Sequence, residues 1–290
     1  MILRPFDPWS SQLCTCPSKL SLNPYTGCPH GCLYCYASSY IPRFSSCRPK
    51  PDLLRLLEKE TRRIPSGSVI AMSSSSDPYP TIEGELELSR GCLRILQARR
   101  LQVLVVTKSD LVARDADLLA EMRAVVSITI TTLKDRLSRR LEPGAPLPGR
   151  RLEALRRLGS LGIPVAARID PIIPGINDGE IEELVSAACS AGVKHITSST
   201  YKARHESMRR ISQAFPERSD ALHALTGAGD RRAGYIYLPE EVRRGLMERA
   251  RRSALDGGVS FAACREGIAI DPGICCDSSH LLPGRGEDCI

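Results

Sequence analysis

The sequence predicts an α/β fold: a partial, TIM-like (βα)6 barrel of parallel strands with a helical and cysteine-rich C-terminal extension. Three observations predict it. Six apolar runs alternate with stretches of helical periodicity. Runs this apolar suit strands buried on both faces of a parallel sheet, not the one-sided alternation of an antiparallel sheet. The chain has 290 residues, of which 42% are hydrophobic, enough to fill one sizeable core. A doubly wound open sheet is the second arrangement that the same alternation permits.

Taken in order, residues 1–17 are a proline-containing lead-in that carries Cys14 and Cys16. Lys19 to Asn23 alternates and reads as the first strand. Pro51 to Arg63 reads as a helix, with Pro51 near its start and Leu53, Leu54, Leu56 and Leu57 on its apolar face. Ser68 to Met72 is a buried strand that runs into the serine stretch before Asp77-Pro78. A helix over 85–99, a strand over 102–106, a helix over 111–122 and a strand over 125–130 follow. The Pro- and Gly-rich stretch 141–149 reads as a loop. Then come a helix over 150–161, a strand over 163–169 ending at Asp170-Pro171, and a helix that Asn177 caps with Glu180 as its capping-box partner. The sixth strand is 193–197. Beyond it the pattern predicts helices over 204–214, 220–225 and 239–255, a loop over 228–234 and a last strand over 258–262. The expected layout is a lead-in over 1–17, the barrel over 18–200 and the extension over 201–290 packed on it as one globular unit.

Composition narrows the setting. No apolar run approaches the roughly 18 residues of a membrane span, and the N-terminus lacks the apolar core of a signal peptide. A cytoplasmic protein is expected, with no membrane partner. In that compartment twelve cysteines read as metal ligands or redox groups before disulfides. Two Asn and four Gln beside abundant Arg suggest a thermophile. The net charge of +7 is compatible with nucleic acid, whereas 4% aromatic residues make no evident stacking platform for single strands.

The chemistry concentrates at Cys28, Cys32 and Cys35, spaced C-x3-C-x2-C on one short loop. Zinc sites usually come as C-x2-C pairs with a second pair further on. Three thiolates with no fourth close by suit a cubane 4Fe–4S cluster in which one iron stays open; a structural zinc or three unrelated thiols are the alternatives. Ligands of a parallel α/β barrel bind at the C-terminal ends of its strands. Ser74, Ser76 and Asp77, then Lys108, then Ser127 and Thr129, then Arg168 and Asp170 stand on or at the ends of successive predicted strands.

The C-x3-C-x2-C loop with an aromatic residue after it resembles the motif of the radical S-adenosylmethionine (SAM) enzymes. Tyr34-Cys35-Tyr36 is similar to the spore photoproduct lyase-like, or DNA-repair-photolyase-like, branch. The resemblance covers about 18–200 and implies that Cys28, Cys32 and Cys35 carry the catalytic 4Fe–4S cluster. Its open iron would chelate SAM, and one electron from a ferredoxin- or flavodoxin-type donor would cleave SAM to a 5′-deoxyadenosyl radical that abstracts a substrate hydrogen. It further implies SAM contacts for Tyr36 and Asp170 near the adenine, Ser76 near the methionyl part, Lys108 near the carboxylate and Ser127 near the ribose. Tyr34, Ser74, Asp77, Thr129 and Arg168 complete the expected cofactor-binding set. One position departs from the lyase: the cysteine that returns a hydrogen atom there is matched by Ser74, whose O–H bond is too strong for that step. Cys47, Cys92 or a tail cysteine would have to serve instead. Three substrate classes follow: a nucleic acid, a peptide or protein side chain, or none, the chain then being a non-catalytic iron–sulfur or zinc module that binds nucleic acid.

Cys264, Cys275, Cys276 and Cys289 cluster near the C-terminus. They read as a second iron–sulfur or zinc site, as disulfides, or as buried thiols. A tail so poor in large apolar side chains needs a staple to be ordered. Cys264, Cys275 and Cys276 are therefore expected within a few ångströms of one another, closing the tail over or beside the barrel.

Overall fold

The computed structural model describes residues 1–6, 13–14, 16–72, 75–232, 234–268, 270 and 274–282. Two short strands, β1 (Arg4–Pro5) and β2 (Leu20–Leu22), pair antiparallel. A second antiparallel pair, β3 (Tyr25–Thr26) and β4 (Arg48–Pro49), brackets the cysteine loop. Strands and helices then alternate from α1 (Leu53–Thr61). They are β5 (Val69–Met72), α2 (Glu83–Leu86), α3 (Leu88–Ala98), β6 (Gln102–Thr107), α4 (Ala116–Glu121) and β7 (Ala124–Thr129). Next come α5 (Asp135–Leu141), α6 (Pro148–Ser160), β8 (Val165–Ile172), α7 (Ile181–Ser190) and β9 (His195–Thr200). The rest adds α8 (His205–Ala214), α9 (Pro216–Gly227), the hairpin β10 (Asp230–Arg232) and β11 (Tyr235–Tyr237), α10 (Glu240–Asp256) and β12 (Ser260–Ala263).

One sheet has the order β1-β2-β5-β6-β7-β8-β9-β12. Every neighbour pair in it is parallel except β1 with β2. The partial barrel thus holds seven parallel strands, one more than the six counted from the sequence in its barrel. The seventh, β12, joins β9 from the extension because Phe261 is fully buried among the apolar residues that α10 covers. β2 and β12 are the outermost parallel strands and do not pair, so the barrel stays open along that seam.

The two sheet faces differ in partner. Ile70, Met72, Val103, Val105, Val126 and Ile128 pack outward against the helices in the main core. The alternate residues Val69, Leu104 and Val125 face inward and enclose Leu282 of the tail. The tail enters the barrel: Thr197 Oγ1 and Arg168 Nη1 donate to the Cys276 carbonyl at 2.9 and 3.2 Å. Further along, the His280 ring meets the His195 ring edge-on at 4.7 Å. The expectation of a tail lying over or beside the barrel is corrected to one that runs inside it.

Four local readings change. The helix expected over 85–99 breaks at Glu87, whose φ is +47°. Buried Glu83 accepts from the Ser89 and Arg90 amides at 2.9 and 3.2 Å and so starts α3 afresh. Asn177 makes no side-chain cap; it ties Ile173 to the carbonyls of Thr131 and Pro171, while Glu180 turns to Thr132 and Leu133. The proposed loop 141–149 begins inside α5 and ends inside α6. Within the loop expected over 228–234, Asp230–Arg232 form β10 and pair with β11, which the Ala203–Ile236 bridge pins. Among the described residues no helix is long and apolar enough to cross a membrane.

Candidate active site

The cysteine loop is fixed by contacts to its backbone from three segments. Gly27 turns at φ +84°, and a Cβ there would meet the Phe44 and Ser46 carbonyls at 2.6 and 2.7 Å, so only glycine fits. The Cys28 amide donates to Phe44 at 2.7 Å. The Gly144 amide donates to the His30 carbonyl, and the Leu33 amide to Leu141, both at 2.9 Å. Arg210 on α8 donates to the carbonyls of Leu33 and Cys35 at 3.0 and 2.6 Å. Cys28, Cys32 and Cys35 all face one cavity of about 810 Å³ at the C-terminal ends of the strands. Burial pushes the Cys28 thiol up to about 12, with the Asp77 charge adding to it, and burial raises Cys32 as well.

Strand ends supply the opposite walls. Ser76 lines the cavity, and its buried Oγ has no hydrogen-bond partner. Asp77 also lines it, but its carboxylate is committed within the protein. It accepts from Thr107 Oγ1 at 2.6 Å, from the Lys108 amide at 2.8 Å and from the Tyr79 amide at 2.9 Å. His30 Nδ1 lies 3.5 Å from the same carboxylate. Asp77 thus joins the ends of β5 and β6 to the cysteine loop, a positioning role where a cofactor contact was expected. Thr129 lines the cavity; Ser127, one inward position below it on β7, is buried with an unpartnered Oγ and is not on the cavity wall. Arg168 and Asp170 face the cavity as an ion pair at 2.8 Å, and Ser199 donates to Asp170 at 2.6 Å. Burial alone would raise Asp170, but Arg168 and Lys202 outweigh it and hold the carboxyl at about 2. Ser74 and Cys289 lie outside the described residues.

Glu142 was missed by the sequence reading, which placed it in the Pro- and Gly-rich loop 141–149 and gave it no role. It is fully buried, 2.5 Å from Arg151 and 4.0 Å from Lys108, and it accepts from the Tyr34 hydroxyl. Burial opposes the Lys108 charge, yet the Cys32 thiol and Glu142 carry its pKa above the ordinary lysine value. Tyr34 also presents its ring 5.4 Å from Lys108 Nζ. Lys108 is therefore a partly buried, charged group on the cavity wall, held among protein groups.

Three aromatic rings meet at the mouth, where the sequence suggested no platform. Tyr36 stacks on Tyr40 at 6.4 Å and meets Tyr235 edge-on at 6.2 Å. The Arg204 guanidinium lies 4.9 Å from the Tyr235 ring centre. Cationic side chains on the cavity wall (Arg4, Lys19, Lys50, Lys108, Arg168, Lys202 and Arg265) outnumber the carboxylates Asp77, Asp170 and Asp277. Of the alternative hydrogen donors, Cys92 is fully buried in the main core and Cys47 is off the cavity wall, whereas Cys264 and Cys276 are on it.

The second group of cysteines also converges. The Cys16 and Cys276 sulfurs are 3.7 Å apart, and those of Cys16, Cys275 and Cys276 all lie within 4.8 Å of one another. Cys264 lies beside Cys276, and Cys14 beside Cys16. Of the expected trio, Cys275 and Cys276 come together and Cys264 lies beside Cys276, while Cys16 of the lead-in joins the first two.

A half-open parallel barrel with a three-cysteine loop at its mouth defines the class: the radical SAM fold. The Radical SAM superfamily model matches residues 22–188, and the chain belongs to that superfamily; it is an enzyme. An uncharacterized protein of Methanocaldococcus jannaschii is 32% identical over 222 residues, 72% of this chain and 81% of that one. An uncharacterized protein of Mycobacterium tuberculosis is 27% identical over 255 residues, 80% of this chain and 73% of its own length. Among solved structures, spore photoproduct lyase with bound AdoMet and dinucleoside spore photoproduct has the same fold. It matches at TM-score 0.65 and 20% identity, over 83% of this chain and 75% of that one. The Streptococcus suis SuiB structure bound to precursor peptide SuiA matches at TM-score 0.55 and 15% identity, over 84% and 48%.

Proposed function

We propose that the protein is a radical SAM enzyme of the spore photoproduct lyase-like branch that acts on nucleic acid. The observation that carries this reading is the placement of three loop thiols, a charged lysine and an unpartnered serine hydroxyl around one cavity. The donor set fits the cofactors. Cys28, Cys32 and Cys35 would hold a 4Fe–4S cluster; their sulfurs do not all lie within 4.8 Å of one another, as befits ligands of separate irons. When bound, cluster and SAM supply a 5′-deoxyadenosyl radical, with one electron from a ferredoxin- or flavodoxin-type donor. Lys108 would receive the SAM carboxylate and Ser76 Oγ the methionyl part, with Thr129 and Tyr36 on the walls beside them. Ser127 and the Arg168–Asp170 pair would shape the adenosyl side from behind.

Nucleic acid is favoured over a peptide by the mouth. Excess cationic side chains suit a phosphate backbone, and the Tyr36, Tyr40 and Tyr235 rings with Arg204 suit a base drawn out of its stack. The test is anaerobic reconstitution with iron, sulfide and SAM, assaying 5′-deoxyadenosine with ultraviolet-irradiated DNA, transfer RNA and a peptide pool as substrates. Nucleic-acid-stimulated release that weakens steeply with salt is expected. Lys108→Ala should weaken SAM binding by about 1.5–3 kcal/mol while iron content stays at four per chain. SAM cleavage that persists in Cys32→Ala would refute the cluster assignment, and stimulation by peptides alone would refute the substrate.

A further inference from the structure

We infer that the chain carries a second metal site, a single zinc ion bound by Cys16, Cys275 and Cys276 with Cys14 or Cys264 as the fourth ligand. The argument starts from spacing. Four thiolates around one ion with bonds of about 2.3 Å stand about 3.8 Å apart along each edge of the tetrahedron. The Cys16 and Cys276 sulfurs are 3.7 Å apart, and Cys275 lies within 4.8 Å of both. Among the described residues no other three metal-ligating side chains meet that closely, the radical-site thiols included. A cluster of several irons spreads its thiolates over separate irons; this trio is gathered for one ion.

Two flanking thiols could complete the set: Cys14 lies beside Cys16 on one side, and Cys264 beside Cys276 on the other. None of the five is in a disulfide. Binding would release the thiol protons to solvent and leave a tetrathiolate of net charge about −2. Buried Lys19 stands beside it, 2.5 Å from Asp277, and Arg168 holds the Cys276 carbonyl. The position also explains the need. Cys16 leads into β2 and Cys264 follows β12, the two strands that do not pair. The tail between them has few large apolar side chains with which to offset its ordering. An ion here would fasten lead-in, tail and last strand across the open seam, much as a structural zinc does in small domains.

The proposal is independent of SAM chemistry, so its test uses the Cys28→Ala/Cys32→Ala/Cys35→Ala protein. After anaerobic purification, incubation with iron and sulfide, then with Zn²⁺, and desalting, one zinc and no iron per chain is expected. X-ray absorption at the zinc edge should show four sulfurs at about 2.3 Å. Cys276→Ser added to that background should lose the zinc. Cys14→Ser and Cys264→Ser, compared by chelator competition, identify the fourth ligand, one of them lowering affinity at least about tenfold. Chelation should speed proteolytic cleavage in 264–282. Zinc-free protein with all thiols titratable, a disulfide from Cys16 to Cys275 or Cys276 in the native protein, or several irons with sulfide would each overturn it. The absorption measurement stands even where the serine variants do not fold.

Discussion

Glu142→Gln tests the buried charge centre beneath the cysteine loop. The carboxylate is fully buried, with Arg151 at 2.5 Å, Lys108 at 4.0 Å and the Tyr34 hydroxyl as donor. Glutamine keeps the shape and can still accept from Tyr34, but it removes the negative charge that faces buried Arg151 and partly buried Lys108. Arg151 keeps its bonds to the Pro146 and Thr129 carbonyls at 2.7 and 3.0 Å, so its guanidinium is not stranded altogether. Breaking a buried pair by removing one partner typically costs 3–5 kcal/mol, and the retained bonds argue for the lower end, about 3 kcal/mol. The pH dependence adds a signature. Burial raises the Glu142 carboxyl, but Arg151 and Lys108 outweigh it and hold it below the ordinary glutamate value. Its contribution is therefore complete above the unfolded pKa of about 4.3 and is lost as pH falls through the folded one. Urea unfolding of wild type and variant should show a constant gap between pH 6 and 8 that narrows below about pH 4. A gap under about 1 kcal/mol, or one that widens on acidification, would refute the argument.

Two further predictions concern the loop and the barrel floor. Arg210→Ala removes the donors to the Leu33 and Cys35 carbonyls and should speed iron loss to a chelator severalfold, Arg210→Lys restoring it in part; unchanged loss would show that the loop holds itself. His195 is fully buried with Nδ1 2.8 Å from Ser260, and burial first, then His280 and Arg168, lower its pKa to about 3. The unfolded chain takes up that proton near pH 6.5 and the native one does not, so stability falls as pH drops below 6.5 and goes on falling to about 3. At pH 5 the loss from this residue is about 2 kcal/mol, and His195→Gln should flatten the wild-type slope between pH 7 and 5 in urea titrations.

What the sequence disclosed was what it encodes locally. The loop from Gly27 to Tyr36 is one continuous stretch, and the strand-end polar residues follow from alternation and topology alone. Glu142 was hidden because a glutamate beside Pro143-Gly144 reads as solvent-facing; only the approach of the cysteine loop buries it. That approach is itself encoded at Gly144, where a Cβ would meet the Pro29 carbonyl at 2.3 Å. The grouping of Tyr235 with Tyr36 escaped notice because Tyr235 comes from a hairpin whose polar first strand, Asp230-Arg231-Arg232, resembles a loop. That Cys16 meets Cys275 and Cys276, more than 250 positions away in the chain, could be suspected from the cysteine count but not placed, since the contact depends on where the barrel fails to close.

The failure to close also sets the depth of the active site. In a closed barrel, layers of inward side chains fill the interior. Here the inward positions rise from Val69, Leu104 and Val125 to Ala71, Ser127 and Thr129, small or polar residues that leave the upper half empty. The lower half is filled by Leu282, delivered from the tail and sealed by His280 against His195. Cys276 and Asp277, a few residues earlier, form part of the cavity wall. One segment therefore plugs the barrel and bounds the reaction chamber. The position of the tail sets the depth of the cavity beside the cysteine loop.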